Sequence, residues 1–546
     1  MNSPFFYAHG YPTDECQRQL TGSGTEVGKG IFPTQLLLFR SIYKIYYEGG
    51  VSWHETVYAM EAMDNFISVI TKVNGILNNF IWGPIMLVIF LAVGLMFTLR
   101  TKVFQISHFR YWIDVTFLQL FRKDSAHVRK TSDRHAISQF QSLCTALAAT
   151  IGVGNISGVA VALALGGPGA IFWMWLSAFL GMMTNYAENT LGIKYRYKNE
   201  KGDWVGGAMI YIERGLGWKW LAVIFSVFCV LASFGIGNMS QGNEIANGLY
   251  HSFSVPKWIT ALAVMLLAGL VIVGGIKRIA SVTEKLVPFM AVTYIAGTLI
   301  VIFSNASAIP EAFGSIFGNA FRFSSMGGGV AGFTVMVAMR RGISRGVFSN
   351  EAGLGSSVMV HSASNVKEPV VQGMWGIFEV FADTLVVCTL TALTILTSGV
   401  YDYTEYAQYV GTSLPDHLKS GVALTSAAFE SVFGSVGGGF ISVAVMLFAF
   451  STILGWSYYG ERGIEYLFGL KAVPVYKLVF ILIIFLGCNA SLSLVVDISD
   501  TFNGFMALPN LIAVTLLSGQ VIEMTKAYIA KVRAGKETVG GDEISS

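Results

Sequence analysis

Apolar runs of about 20 residues, separated by short polar stretches, dominate the chain from residue 80 to residue 526. Each run is long enough to cross a bilayer core as a helix. The pattern predicts eleven spans: 80–99, 138–163, 169–193, 218–240, 257–275, 286–304, 330–360, 370–398, 436–458, 473–489 and 504–526. Two of them are not uniformly apolar. Residues 145–169 (TALAATIGVGNISGVAVALALGGPG) and 342–357 (GISRGVFSNEAGLGSS) set glycines and polar residues inside the run, one in each half of the chain. Lipid offers no hydrogen bonds to a frayed backbone, so an interrupted helix at membrane depth has to face protein or a watery cavity. Paired interruptions in corresponding positions of two halves point to the binding site of a transporter.

Composition agrees. The chain of 546 residues is 53% hydrophobic and 13% charged, where soluble domains carry about 25% charged residues. Between 138 and 525 no charged helix face of the soluble kind is present, and the 60 glycines suit close helix packing in lipid. The expected class is an all-α polytopic membrane protein whose first partner is the lipid bilayer. The net charge of +3 says little beside its distribution. Arg100, Lys102, Arg110, Arg122, Lys123, Arg129, Lys130 and Arg134 crowd the loop after the first span, and Lys194, Arg196, Lys198, Lys201, Arg214 and Lys219 the loop after the third. Lys277, Arg278 and Lys285 precede the sixth, Arg462 and Lys471 follow the ninth, and Lys526, Lys531, Arg533 and Lys536 follow the last. Alternate loops hold almost nothing basic beyond Arg322 and Lys419. Cationic loops stay cytoplasmic, which predicts an outside N-terminus and a cytoplasmic C-terminus in a cell membrane, a bacterial inner membrane by expectation. No long basic run marks a nucleic-acid partner. The five cysteines show no CxxC or metal-ligand spacing and read as small apolar packers. Residues 1–79 mix charges with short apolar runs and form an N-terminal extension of uncertain order. Residues 80–137 hold the first span and a cytoplasmic basic loop, and 527–546 a cytoplasmic tail.

In the first interruption Gly152 and Gly154 flank Val153 and release the backbone from steric limits. Unwinding here would expose the carbonyls of Ala148, Thr150 and Ile151 and offer the amides of Gly154, Asn155 and Ile156. Half-helix N-termini attract carboxylates and freed carbonyls attract cations. The alternative is a small-residue packing face. A dinucleotide fingerprint is excluded, because Ser157 stands where its third glycine belongs. In the second interruption Ser349 or Asn350 would cap a new half-helix. Glu351 is an ionisable group at membrane depth, which is either functional or a structural acid for free amides. Arg340, Arg341 and Arg345 precede it and face an outer vestibule or an acid there. Asn238 and Gln241 in the fourth span, Ser451, Thr452 and Trp456 in the ninth, and the acids Glu188, Glu379, Asp383, Asp497 and Asp500 complete the polar inventory. No HExxH, GxSxG or P-loop is present, so no enzyme class gains support.

Five stretches carry a resemblance: 146–175 (ALAATIGVGNISGVAVALALGGPGAIFWMW), 205–214 (VGGAMIYIER), 233–244 (SFGIGNMSQGNE), 345–356 (RGVFSNEAGLGS) and 382–394 (ADTLVVCTLTALT). The chain resembles the alanine-or-glycine:cation symporter family, the sodium:alanine symporters, over about 64–526. The resemblance implies a LeuT-type core of two inverted five-helix repeats, at 138–304 and 305–526, after one extra helix, with discontinuous helices at the substrate site. It implies sodium-coupled symport of a small neutral amino acid, alanine or glycine, into the cell by alternating access. Carried over by position, the substrate site comprises Val153, Gly154, Gln241, Phe348, Thr452 and Trp456. The coupling ion, Na+, falls to the carbonyls of Ala148, Ile151 and Phe448 with the hydroxyls of Ser451 and Thr452. The sequence departs from the family pattern in Val153, where threonine is common, and in Ala208 and near Val358, where prolines are expected. A proton-coupled symporter carrying its proton on Glu351 is the alternative, and a channel a more distant one.

Overall fold

The computed structural model describes residues 53–122, 126–321, 330–402, 406, 421–489 and 493–535. The first 52 residues of the expected extension and the end of the expected tail lie outside them. The chain divides into two compact units, Met1–Val73 and Asn74–Ser546. The described part of the first is the start of helix α1 (Trp53–Ile81); everything below belongs to the second.

Helix α2 (Pro84–Arg100) starts with proline in its first turn, where the missing N–H costs nothing. Helix α3 (Gln139–Thr150) opens on a reciprocal cap: Ser138 Oγ accepts from the Gln141 amide at 3.1 Å, and Gln141 Oε1 accepts from the Ser138 amide at 3.0 Å. After an interruption at 151–156 the chain resumes as α4 (Ser157–Gly166) and α5 (Gly169–Tyr195). A small hairpin follows, β1 (Tyr197–Lys198) antiparallel to β2 (Trp204–Val205), pairing Tyr197 with Val205. Asp133 pins the preceding loop to it. Its carboxylate accepts from the His135 amide at 2.8 Å and from Trp204 Nε1 at 3.3 Å, and the His135 bond foremost holds it below the usual carboxylate range. Then come α6 (Ala208–Leu216), α7 (Lys219–Phe234), a π-helical turn at Gly235–Met239, α8 (Ser240–Phe253), α9 (Lys257–Ile272) and α10 (Gly275–Ser304).

The second half runs through α11 (Ile309–Ala320), α12 (Val330–Asn350), a short helix at Val358–His361, and α13 (Pro369–Val380). A π-helical stretch, Phe381–Cys388, joins α13 to α14 (Thr389–Thr397). The remainder is α15 (Val422–Phe433), α16 (Ser435–Phe468), α17 (Val473–Asn489), α18 (Ser493–Leu516) and α19 (Ser518–Arg533).

Among the described residues, six helices are long and apolar enough to cross a membrane. Two further pairs qualify together but are bent, α3 with 153–166 by 60° and α18 with α19 by 57°. The molecule is therefore a helical, multi-pass membrane protein. Large apolar side chains such as Ile85, Leu266, Leu270, Val475 and Leu482 point outward, as a lipid-facing surface requires. Several expected spans change length. α8 carries the fourth span on through residues expected to be loop, α10 begins before Lys277 and Lys285, and α16 continues past Arg462. The last expected span, 504–526, crosses the bend between α18 and α19.

Helix α5 is the central post, packed against α12 and α13. Glycines make the approach possible. A β-carbon on Gly342 would lie 2.1 Å from the Ala170 carbonyl oxygen, and one on Gly373 2.5 Å from Thr190 Oγ1. The close backbone contact this allows is what replaces the hydrophobic driving force inside lipid.

Candidate functional site

The first interruption is real, and it is held by side chains. α3 ends at Thr150, one irregular turn covers Val153–Asn155, and α4 starts at Ser157. Asn155 Oδ1 accepts from the Gly152 amide at 2.8 Å, which ties the loop closed. The nitrogen of the same side chain donates to Asp383 Oδ1 at 2.6 Å.

The second interruption lies later than expected. α12 runs through Ser349 and Asn350, and the irregular segment is 351–357. Ser349 and Asn350 therefore end one half-helix instead of capping the next. Ser349 Oγ donates to Asp383 Oδ2 at 2.8 Å, and Asn350 Nδ2 donates to Thr384 Oγ1 at 3.1 Å. Glu351 takes the left-handed backbone conformation at φ 56°, and its Oε2 accepts from Ser356 Oγ at 2.5 Å. It thus closes its own loop and receives no bond from the first interruption among the described residues.

Asp383 consequently joins both interruptions. Its carboxylate accepts from Asn155 beside the first, from Ser349 at the edge of the second, and from Thr384 at 2.7 Å. It sits in the π-helical stretch and is fully buried. The sequence marks it only as one acid among several at membrane depth. Its partner Asn155 is 228 residues away.

Across the first interruption stands α16. Thr452 Oγ1 lies 3.2 Å from the Ala148 carbonyl oxygen and 3.0 Å from that of Phe448. Ser451 Oγ lies 3.2 Å from the same Ala148 oxygen and 2.8 Å from that of Phe448. With the Ala149 carbonyl, 3.5 Å from Thr452 Oγ1, two hydroxyls and three carbonyls are gathered where α3 ends, and the Ile151 amide, bonded to Leu147, marks the last turn of that helix. The donor set is neutral oxygen throughout, which fits a hard monovalent cation. Among the described residues no cluster of His, Cys, Asp or Glu is arranged to hold a metal.

Next to this oxygen cluster are the other expected residues. A β-carbon on Gly152 would lie 2.5 Å from Thr452 Oγ1, and one on Gly154 3.6 Å from the Phe348 ring. Val153 is buried between them. Trp456, one turn beyond Thr452, presses on the π-helical turn, where a β-carbon on Gly237 would lie 2.4 Å from its Cβ. Gln241, one turn after Gly237, donates to the Ile236 carbonyl at 3.0 Å, while its buried Oε1 has no partner. Asn238 turns away to the Phe480 carbonyl at 2.7 Å. The structure therefore brings Val153, Gly154, Phe348 and Thr452 into one cluster, with Trp456 and Gln241 reached through the Gly237 turn. Arg340 pairs with no acid among the described residues. It donates to the Trp82 carbonyl at 3.1 Å and to Asn79 Oδ1 at 2.7 Å. Arg345 lays its guanidinium over the Phe348 ring, 5.5 Å from the centroid.

Two interrupted helices meeting inside a multi-pass bundle, with freed carbonyls on one side and small-residue contacts on the other, define a membrane transporter. The chain belongs to the sodium:alanine symporter family, whose sequence profile matches residues 67–541. Family members are transporters, not enzymes. A sodium/alanine symporter, AgcS, of Methanococcus maripaludis is 44% identical over 468 residues, which is 85% of this chain and 97% of that one. A probable sodium/glutamine symporter, GlnT, of Bacillus subtilis is 37% identical over 86% of this chain and 93% of its own length. An uncharacterized transporter of Haemophilus influenzae is 43% identical over 84% of this chain and 96% of its own.

Proposed function

We propose that the protein carries a small neutral amino acid, alanine or glycine, into the cell together with sodium. The observation that carries this reading is the oxygen cluster at the first interruption: Ser451 and Thr452 meet the carbonyls of Ala148 and Phe448 beside the Gly154–Phe348 contact. Ile151 completes the set of sodium ligands, and sodium binds the Ala148 and Phe448 carbonyl oxygens in place of the hydroxyl hydrogens that now hold them. The substrate carboxylate docks on the amides at the start of α4, and its ammonium meets carbonyls near Phe348 and the free Oε1 of Gln241.

The frame for this chemistry is a LeuT-type arrangement of eleven spans. One extra helix precedes two inverted repeats of five, at 138–304 and 305–526, and each repeat opens on an interrupted helix. The N-terminus lies outside and the C-terminus in the cytoplasm of a bacterial inner membrane, as the alternation of basic loops supports. The chain works by alternating access, with the two interruptions as the moving parts.

Phe348 and Trp456 limit the substrate side chain to about a methyl group, because overlap rejects larger groups more strongly than lost contact rejects smaller ones. The alanine named for the Methanococcus relative fits this space; the glutamine named for the Bacillus relative needs more. Val153 presents no hydroxyl to the ligand, so recognition rests on backbone groups.

Uptake of radiolabelled alanine and glycine into proteoliposomes tests the reading. Concentrative, saturable uptake only under an inward sodium gradient is expected. Uptake that ignores sodium, or glutamine carried in preference to both, defeats it.

A further inference from the structure

A groove of about 470 Å³ runs between α5 and the π-helical stretch that carries Asp383. Phe172, Trp175, Leu176 and Phe179 line it from α5, at the 3–4 spacing that puts them on one stripe of the helix. Leu385 of the π-helical stretch and Thr389 at the start of α14 form the other wall. All six side chains are half-buried, so the groove is open along one side. Its volume lies within the range of about 300–1,000 Å³ usual for small-molecule sites. None of the six belongs to the ion or substrate residues described above.

The lining decides what can sit there. It holds two polar side-chain groups, and each spends its hydrogen inside the protein. Trp175 Nε1 donates to Thr389 Oγ1 at 2.7 Å, and that hydroxyl donates to the Thr384 carbonyl at 3.4 Å. No side-chain donor remains for a ligand. An amino acid would lose its water there without replacement, and an apolar cavity stays dry. The occupant is therefore hydrocarbon.

At membrane depth hydrocarbon comes as a lipid chain or as the apolar face of a second copy. Helices meet closely in lipid through small residues, as Gly342 and Gly373 do against α5. The groove offers only phenylalanine, tryptophan, leucine and threonine. Beside it stand the exposed rings of Phe313 and Phe317 on α11, 6.2 and 5.9 Å from the Trp175 ring. A helix about 10 Å across is held off the floor by these bulky walls. A single file of methylenes is not. On the orientation proposed above, α5 begins at the outer surface, so the chain belongs to the outer leaflet.

We propose that the groove is a lipid site: one acyl chain of an outer-leaflet phospholipid lies along it and steadies the π-helical stretch. A chain leaving bulk lipid gains nothing from the hydrophobic effect, so the preference comes from dispersion contacts with the ring and leucine walls. Leu385 is two residues from Asp383, so the seated chain braces the segment on which both interruptions are fixed. The site needs only that the chain spans a membrane, and its test needs no transport, so a failure of sodium-driven uptake leaves it standing.

Brominated acyl chains quench tryptophan on contact, which makes Trp175 the probe. The purified full chain in detergent is titrated with phosphatidylglycerol brominated along its acyl chains. The difference between wild type and Trp175→Phe reports Trp175. The difference between wild type and Trp258→Phe reports Trp258, which is 58% exposed on α9 and samples ordinary surrounding lipid. Trp175 should be half-quenched at a lipid concentration about fivefold lower than Trp258, equivalent to about 1 kcal/mol. Leu176→Phe and, independently, Leu385→Phe narrow the groove and leave the Trp175–Thr389 bond in place. In each the preference should vanish while Trp258 titrates as before. Parallel quenching of the two tryptophans in the wild type overturns the site, as does a preference that survives both narrowing variants. A Trp175 shielded from lipid in a protein that is dimeric by native mass spectrometry assigns the groove to a second copy and overturns it equally. Amide hydrogen exchange across 381–388 should slow about fivefold when unbrominated phosphatidylglycerol is added to the wild type. Exchange that ignores the lipid rejects the bracing of the stretch.

Discussion

At Thr452 a single hydroxyl is within reach of three carbonyl oxygens, at 3.2 Å for Ala148, 3.5 Å for Ala149 and 3.0 Å for Phe448. Thr452→Val keeps the shape and removes that oxygen. Sodium should lose one ligand, and its half-saturation in uptake should rise by about tenfold, equivalent to about 1.4 kcal/mol. The preference between alanine and glycine should hold within about twofold, because uniform loss of an ion ligand does not discriminate side chains. A sodium activation curve that coincides with the wild type removes Thr452 from the ion site. Gly154 tests the opposite property. A β-carbon there would rest 3.6 Å from the Phe348 ring, an ordinary contact, so Gly154→Ala should fold normally. On the proposed reading, the added methyl occupies space meant for the substrate side chain. Alanine uptake should fall about tenfold or more while glycine uptake falls less, since overlap is rejected more strongly than a missing contact. Equal losses for both substrates would place the pocket elsewhere.

Helices set where these residues stand, and the site depends on one carboxylate spanning two of them. Asp383 accepts from Asn155 at 2.6 Å and Ser349 at 2.8 Å, so the two interruptions share a fixed point on the π-helical stretch after α13. Asp383→Asn replaces an acceptor by a donor facing existing donors. The unmatched buried groups should cost about 1–3 kcal/mol, read as a lower unfolding midpoint in detergent. Transport should suffer beyond the stability loss, with the maximal rate falling more than substrate affinity, because on the proposed alternating-access reading the interruptions move together. A variant with wild-type turnover would show that Asp383 only fills space. The same region shows what the sequence could and could not disclose. Gly152 is legible because a β-carbon there would lie 2.5 Å from Thr452 Oγ1, and the 60° bend falls where Gly152 and Gly154 stand. For the second interruption, the sequence offers Ser349 and Asn350 as caps. Those side chains are already engaged by Asp383 and Thr384, so the helix continues to Asn350. No local pattern encodes that Asn155 meets Asp383, 228 residues away. The π-helical stretches are equally silent, since one extra residue in a turn leaves an apolar run apolar.

For the molecule as a whole, the geometry makes a thermodynamic demand. The Ala148 carbonyl is bound by the α16 hydroxyls, and Gly152, two residues before Gly154, touches Thr452. On the proposed reading, sodium and substrate order the same loop from opposite sides. Whatever factor sodium adds to alanine affinity, alanine must add to sodium affinity, because both describe one coupling free energy. A tenfold coupling is about 1.4 kcal/mol. Equilibrium titrations on purified protein, alanine at several sodium concentrations and sodium at several alanine concentrations, should return the same factor both ways. The Thr452→Val variant should shrink both factors together, whereas Gly154→Ala should weaken alanine binding and leave sodium binding in the absence of alanine unchanged. Transport adds a second constraint. If one sodium accompanies each neutral substrate, each cycle moves one charge inward, and a potential of about 100 mV contributes about 2.3 kcal/mol, nearly a fiftyfold accumulation. Uptake measured at clamped potentials with no sodium gradient should follow that slope. Titrations that return unequal factors would mean a second ion or a third state enters the cycle, and uptake indifferent to potential would mean that a counter-charge leaves with each turnover.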